Sequence, residues 1–216
     1  MKQDIMAILL AAGKGTRMKS EKSKLVHKIY GKELVKRVVE TAKKSGVEEV
    51  VTVVGYKKEQ VQMVLGDSVK YAYQEEMLGT GHAVMQAEEY LKDKQGKVVV
   101  LNGDVPILRP ETIKKFIQKS IKNKEYATVL TAIYNNPTGY GRIVRDIGGN
   151  ITGIVEEKDA TEEQKQIQEI NGGIYCFDIQ ELLKALKKLE PNNAQSEYYL
   201  TDVVKIMNEE GLKTGA

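Results

Sequence analysis

Residues Ile8 to Lys28 read ILLAAGKGTRMKSEKSKLVHK. The apolar run Ile5 to Leu10 that leads into them has the length and branching of a buried strand. It breaks off at Gly13 and Gly15 into a loop with six cationic side chains against one acid. Such a turn brings backbone N–H groups close to a ligand, and cations beside it make an anion site, usually for phosphate. Two common phosphate loops are excluded. The P-loop needs Gly-Lys-Ser/Thr, whereas Thr16 follows Gly15; the dinucleotide fingerprint would need a third glycine where Met18 stands.

Working outward, apolar runs alternate with helical patterns. Glu33 to Ser45 carries Leu34, Val35, Val38, Val39 and Ala42 on one face, with Gly46 as a stop. Strands are expected at Val47 to Val54, Val69 to Tyr73, Val98 to Leu101 and Tyr126 to Ile133, separated by helices at Lys57 to Leu65, Thr80 to Leu91 and from Pro110 onward. Arg142 to Asp146 and Ile151 to Glu156 flank IGGN, a hairpin signal. Gly173 to Phe177 is a further apolar run, and Asp159 to Glu169 reads as a solvated loop or helical turn. The expected fold is α/β and Rossmann-like, with a mostly parallel central sheet, helices on both faces and an α+β decoration in the second half. Without a linker or repeat, residues 1–216 read as a single domain, with a nucleotide-binding half to about 135 and a second half from about 136.

The chain has 216 residues, is 41% hydrophobic, and its 33 basic and 30 acidic side chains are interspersed, so no nucleic-acid or membrane surface is advertised. The single cysteine, Cys176, has no partner for an internal disulfide and reads as a buried strand residue. Two distant histidines, His27 and His82, offer no zinc cluster, and His82 reads as a packed or helix-start residue. With neither a signal peptide nor a membrane-length apolar run, the cytoplasm is the expected compartment.

LAAGKGTRM at Leu10 to Met18, with Lys24 beyond it, resembles the signature of sugar-nucleotide pyrophosphorylases. QEEMLGTGHA from Gln74, LNGDVP from Leu101, NPTGYGRIV from Asn136, GIVEEKDAT from Gly153, QEINGGIY from Gln168 and NNAQSEYYLTD from Asn192 are similar to its N-acetylglucosamine-1-phosphate uridylyltransferase branch. The resemblance covers essentially the whole chain. It implies Mg²⁺-dependent transfer of UMP from UTP to N-acetylglucosamine 1-phosphate, yielding UDP-N-acetylglucosamine and pyrophosphate. Transfer between polyanions calls for charge neutralisation and positioning, which are tasks for lysine, arginine and a metal.

By that resemblance, Leu10, Ala11, Ala12, Gly13, Gly15 and Thr16 would hold the nucleotide, and Arg17 and Lys24 would be the catalytic cations. Gln74, Gly79 and Thr80 match uracil-reading positions: an amide can complement an imide edge, and glycine permits close approach to a flat base. Asp104, in LNGDVP, would hold Mg²⁺ at a strand's carboxyl end. Gly103, Gly141, Glu156, Asn171 and Thr201 match the sugar side, with Tyr198 and Tyr199 balanced between site and core.

Two positions depart from the family pattern. Ser23 stands where proline usually precedes the lysine, which puts loop rigidity in question, and Ser196 replaces a glycine. In the family the domain continues to a second metal ligand, an asparagine, then to a helical arm and often a left-handed β-helix acetyltransferase domain, on which a trimer would depend. GLKTGA ends the sequence with no evident closing strand, so the expectation is a truncated domain. Two other readings stay open: nucleotidyl transfer to another sugar or polyol phosphate, and a lobe that binds nucleotide sugar with little turnover.

Overall fold

The computed structural model describes residues 4–15, 18 and 20–216. Strand β1 (Asp4–Ala11) is central, and its alternation sends Met6 and Ile8 into one hydrophobic cluster and Ala7 and Leu9 into another. A short ribbon, β2 (Lys28–Ile29) with β3 (Lys32–Glu33), leads into α1 (Leu34–Lys44). Then come β4 (Glu49–Val54), α2 (Lys58–Leu65), β5 (Lys70–Tyr73), α3 (Thr80–Met85), α4 (Glu88–Leu91) and β6 (Gly96–Asn102). The remainder comprises α5 (Pro110–Lys122), β7 (Ala127–Ile133), β8 (Arg142–Arg145), β9 (Ile151–Val155), β10 (Glu169–Asp178), α6 (Ile179–Leu186), α7 (Asp202–Glu209) and β11 (Thr214–Gly215).

The main sheet runs β11-β7-β10-β6-β1-β4-β5, with the β8–β9 hairpin attached through β10. Along that path β10 alone opposes its neighbours, so the mostly parallel α/β expectation holds. Side chains of α1, α2 and α5 pack in the cluster on one face, and those of α3, α4, α6 and α7 pack on the other. The chain moves outward from β1 through β4 to β5 and returns to β6 on the other side of β1. This reversal opens a crevice at the carboxyl ends of β1 and β6.

Three expectations change. The helix expected over Thr80 to Leu91 is two pieces. Gln86 and Ala87 donate backbone bonds to Ala83 and Val84, three residues back, and the Gln86 side chain takes the His82 carbonyl that the next helical turn would have used. The strand expected at Gly173 to Phe177 runs the length of β10, passing through a register shift between Asn171 and Tyr175. Third, a closing strand is present: β11 pairs in parallel with Ala127 and Thr128. Two residues are too short to show a period, and Gly215 rests on the buried Glu125 carboxylate, which accepts hydrogen bonds from Asn123, Thr128 and Lys119.

Cys176 is fully buried in β10, and burial pushes its thiol up to about 11. Among the described residues no helix is long and apolar enough to cross a membrane.

Gly96 begins β6 opposite Asp4 with φ +136°, and any Cβ there would collide with the Asp4 carbonyl. Gly96→Ala is therefore expected to cost about 1–3 kcal/mol through strain between the central strands, read as a lowered urea midpoint at unchanged slope.

Candidate active site

The register of β1 on β6 sets the geometry of the crevice. Leu10 lies opposite Asn102, and the Gly103 N–H donates to the Leu10 carbonyl at 3.0 Å. The glycine loop and Asp104 therefore leave adjacent strands at one level. Between them lies a cleft of about 370 Å³, bordered by Leu10 to Gly13, Lys24, Gln74, Gly79, Thr80, Asn102 and Asp104, with Glu197 from the second half of the chain. Thr16 and Arg17 lie outside the described residues. Gly15 has φ +61°, and a Cβ on it would stand 2.8 Å from Lys24 Cδ, so the absence of a side chain lets the lysine stem cross the loop. Lys24 Nζ then meets Asp104 Oδ2 at 2.6 Å.

Ser23 compensates for the proline it replaces. Its φ of −54° is close to a proline value, and its Oγ accepts from the Leu25 N–H at 3.4 Å at the start of a short 3₁₀ turn. Its own N–H, which proline lacks, donates to Gln60 Oε1 of α2 at 2.8 Å. With Leu25 buried beneath, the segment carrying Lys24 is pinned by hydrogen bonds instead of by a ring.

On the opposite wall the buried Gln74 amide donates through Nε2 to the Gly79 carbonyl at 3.0 Å and faces His82 Nδ1 at 3.1 Å. A carbonyl only accepts, so the atom facing it is the amide nitrogen; among the described residues no donor occupies Gln74 Oε1. Gly79, which borders the cleft, and Gly81 also make room for another part of the chain. A Cβ on Gly79 would lie 2.6 Å from the Tyr198 carbonyl, and one on Gly81 would lie 2.9 Å from the same oxygen. Gly81 donates to Tyr198 O, Tyr198 donates to Leu78 O, and Leu200 N–H donates to Thr80 Oγ1. These glycines seat the second half of the chain on the first.

The residues matched to the sugar side mostly gather. Asn171 N–H donates to Gly141 O at 2.8 Å, and a Cβ on Gly141 would stand 3.3 Å from both Glu156 carboxylate oxygens. Asn171 Nδ2 donates to the Tyr175 hydroxyl at 2.6 Å, while its Oδ1 accepts from Gly173 N–H at 2.9 Å within the β10 irregularity. Burial pushes the Glu156 carboxyl up, and the Asp159 and Asp202 carboxylates add to this. The Thr201 hydroxyl beside it eases that cost by proximity, although its buried Oγ1 makes no hydrogen bond of good geometry. Glu156 borders a second cavity of about 530 Å³ together with Asp159, Tyr199 and Asp202. Asn102 connects the groups, donating to Gly173 O at 3.0 Å. Gly103 sits apart from this cluster, under the end of β1 against Leu25. Tyr199 is buried, its hydroxyl accepting from Gln195, and Tyr198 packs partly buried against the core.

Asn102 and Glu197 lay within quoted motifs as neighbours of the chosen residues. Gln60 carried no sequence signal, because an exposed-looking glutamine on a helix says nothing of a loop 37 positions earlier.

A strand-end glycine loop, a lysine–carboxylate pair at a topological switch point and a buried amide on the facing wall suit an α/β nucleotide-handling protein. The chain belongs to the nucleotidyl transferase family, whose sequence model matches residues 6–216. It is 54% identical over 212 residues to the bifunctional protein GlmU of Acetivibrio thermocellus, covering 98% of this chain and 46% of that one. It is 52% identical over 210 residues to GlmU of Clostridioides difficile, with 97% and 46% covered. The chain thus spans about half the length of the curated relatives it matches. In fold it is similar to a chain assigned as a glucose-1-phosphate thymidylyltransferase from Bacillus anthracis (TM-score 0.79, 21% identity, 98% and 86% covered). A UDP-glucose pyrophosphorylase complexed with UDP-glucose is also similar (TM-score 0.77, 20% identity, 97% and 88% covered).

Two outcomes are expected from this geometry. Gln60→Leu leaves the buried Ser23 N–H unpaired and should loosen the segment carrying Lys24, whereas in a Ser23→Pro background, which has no such N–H, the same change should be nearly silent; a double-mutant cycle on urea midpoints measures the coupling, expected at about 0.5–1.5 kcal/mol. Glu156→Gln should raise stability at neutral pH. The folded chain disfavours the charged carboxyl, so the penalty exists above its raised pKa and fades as acid protonates it; urea midpoints of both chains across that range should converge towards low pH.

Proposed function

We propose that this chain is a uridylyltransferase domain that, with Mg²⁺, transfers UMP from UTP to N-acetylglucosamine 1-phosphate, releasing pyrophosphate and UDP-N-acetylglucosamine. The observation that carries this is the Lys24–Asp104 pair beside the glycine loop, facing a Gln74 amide whose oxygen is free for a base. The GlmU relatives and the seven sequence blocks support the choice of substrates.

In the reaction an acceptor phosphate oxygen attacks the α-phosphorus of UTP, the bond to the α–β bridging oxygen breaks, and pyrophosphate leaves with the bonding electrons. The backbone of Gly13 and Gly15 and the Lys24 ammonium bind and orient the phosphates. Asp104 holds Lys24 at the cleft in the resting chain; a polyanion takes over the ammonium and frees the carboxylate. The partly exposed Asp104 carboxylate that lines the cleft is a hard oxygen donor of the kind Mg²⁺ takes, and Mg²⁺ needs few protein ligands when phosphates and water supply the rest. Asp104 would hold the ion, which supplies charge neutralisation on the transferred phosphoryl group. Gln74 Oε1 accepts from the uracil ring N–H. Glu156, Asn171 and the unpartnered Thr201 hydroxyl take the sugar's hydroxyl and acetamido groups, and Gly141 lets the chain approach closely.

The test is product formation from UTP, CTP, dTTP and ATP against a panel of sugar 1-phosphates. UTP with N-acetylglucosamine 1-phosphate should be preferred, and Asp104→Asn should shift the Mg²⁺ titration to higher concentration and lower turnover on the order of 10². Preference for another pair would reassign the substrate, and tight UDP-N-acetylglucosamine binding without turnover would make the chain a binding lobe.

A further inference from the structure

We propose that His82 is a positioning residue for base selection: a neutral imidazole that holds the Gln74 amide with its oxygen towards the nucleotide, in competition with Gln86. The inference rests on the reading of Gln74 as the base-contacting residue.

Two carbonyl oxygens decide the hydrogen-bond directions. Gln74 Nε2 lies 3.0 Å from Gly79 O, so that atom is the amide nitrogen, and its remaining hydrogen points at His82 Nδ1, 3.1 Å away. Gln86 Nε2 lies 3.1 Å from the His82 carbonyl, so it too is a nitrogen, and it faces His82 Nε2 at 3.1 Å. Both ring nitrogens are thus approached by donors. A neutral imidazole accepts at one nitrogen only, and an imidazolium accepts at neither. The tautomer with Nδ1 unprotonated locks Gln74; the other serves Gln86 and leaves the reading amide on the Gly79 bond alone. Locked, Gln74 offers a pure acceptor to the base, which suits a ring N–H donor such as that of uracil and rejects the ring-nitrogen acceptor of cytosine. The second tautomer relaxes that discrimination. His82, which the sequence presents as a packing histidine, therefore tunes selectivity one residue removed from the ligand.

The experiment is the ratio of UTP to CTP affinity, measured by equilibrium displacement so that turnover is not required, on the full chain and four variants. Gln74→Leu should collapse the ratio; if it does not, the base-reading role of Gln74 fails. Given that collapse, His82→Phe should lower the ratio about five- to tenfold, the worth of one hydrogen bond, while His82→Asn, whose Oδ1 can stand in for Nδ1, should restore it to within about twofold of the parent. Gln86→Met removes the competitor and should leave the ratio equal or higher. A fall of the ratio in His82→Phe with no fall in Gln86→Met distinguishes positioning from loss of packing. An unchanged ratio in His82→Phe, or equal losses in His82→Phe, His82→Asn and Gln86→Met, would overturn the inference while leaving the Gln74 reading intact.

Discussion

The site depends first on the pairing of β1 with β6. Six consecutive residues from Ile5 to Leu10 lie opposite Lys97 to Asn102, and the Gly103 N–H extends this contact by one bond to Leu10 O. A slip of one residue would invert every side chain between the two hydrophobic clusters, so burial on both faces enforces the register. Because it is enforced, the glycine loop and Asp104 emerge side by side, and Lys24 can reach across to the carboxylate. The ion pair is thus a consequence of sheet register. Partly exposed as it is, it adds little to stability and is better understood as a poised arrangement of charge.

The second half of the chain is attached by complementary absence of side chains. Gly79 and Gly81 admit the Tyr198 backbone, and the hydrogen bonds exchanged there tie the loop that bears Gln74 to the segment that bears Thr201. The β10 irregularity works the same way from the other side, with Gly173 at φ +70° lying against Asn102. The two walls of the cleft are therefore fixed to each other by main-chain contacts, which tolerate few substitutions.

Much of this was legible in the sequence because it is local. The run before Gly13, the single apolar stripe of α1, the Pro110 start of α5 and the IGGN turn each state their own structure. What was not legible is non-local. The insertion of β10 between β6 and β7 is a choice of partners that strand composition leaves open. The Thr80 to Leu91 helix kept its apolar face, but a Gln86 side chain competed with its backbone. Gly79 also makes room for a carbonyl from a loop more than a hundred positions later, a contact its own motif does not announce. Ser23 looked like a loss of rigidity until Gln60 supplied its partner. The motifs identified the candidate site residues, but not which motif would seat against which, nor that Gln60, outside every motif, would hold Ser23.

Cys176 has a practical consequence. It is the chain's single thiol, enclosed in the middle of the sheet, and its raised pKa keeps it protonated under ordinary conditions. Alkylating reagents should pass the folded chain by and mark it only when β10 separates from its neighbours, so the rate of modification becomes a clock for opening of the core. A cysteine introduced on the rim of the cleft would then carry a spectroscopic probe without competition from the native background.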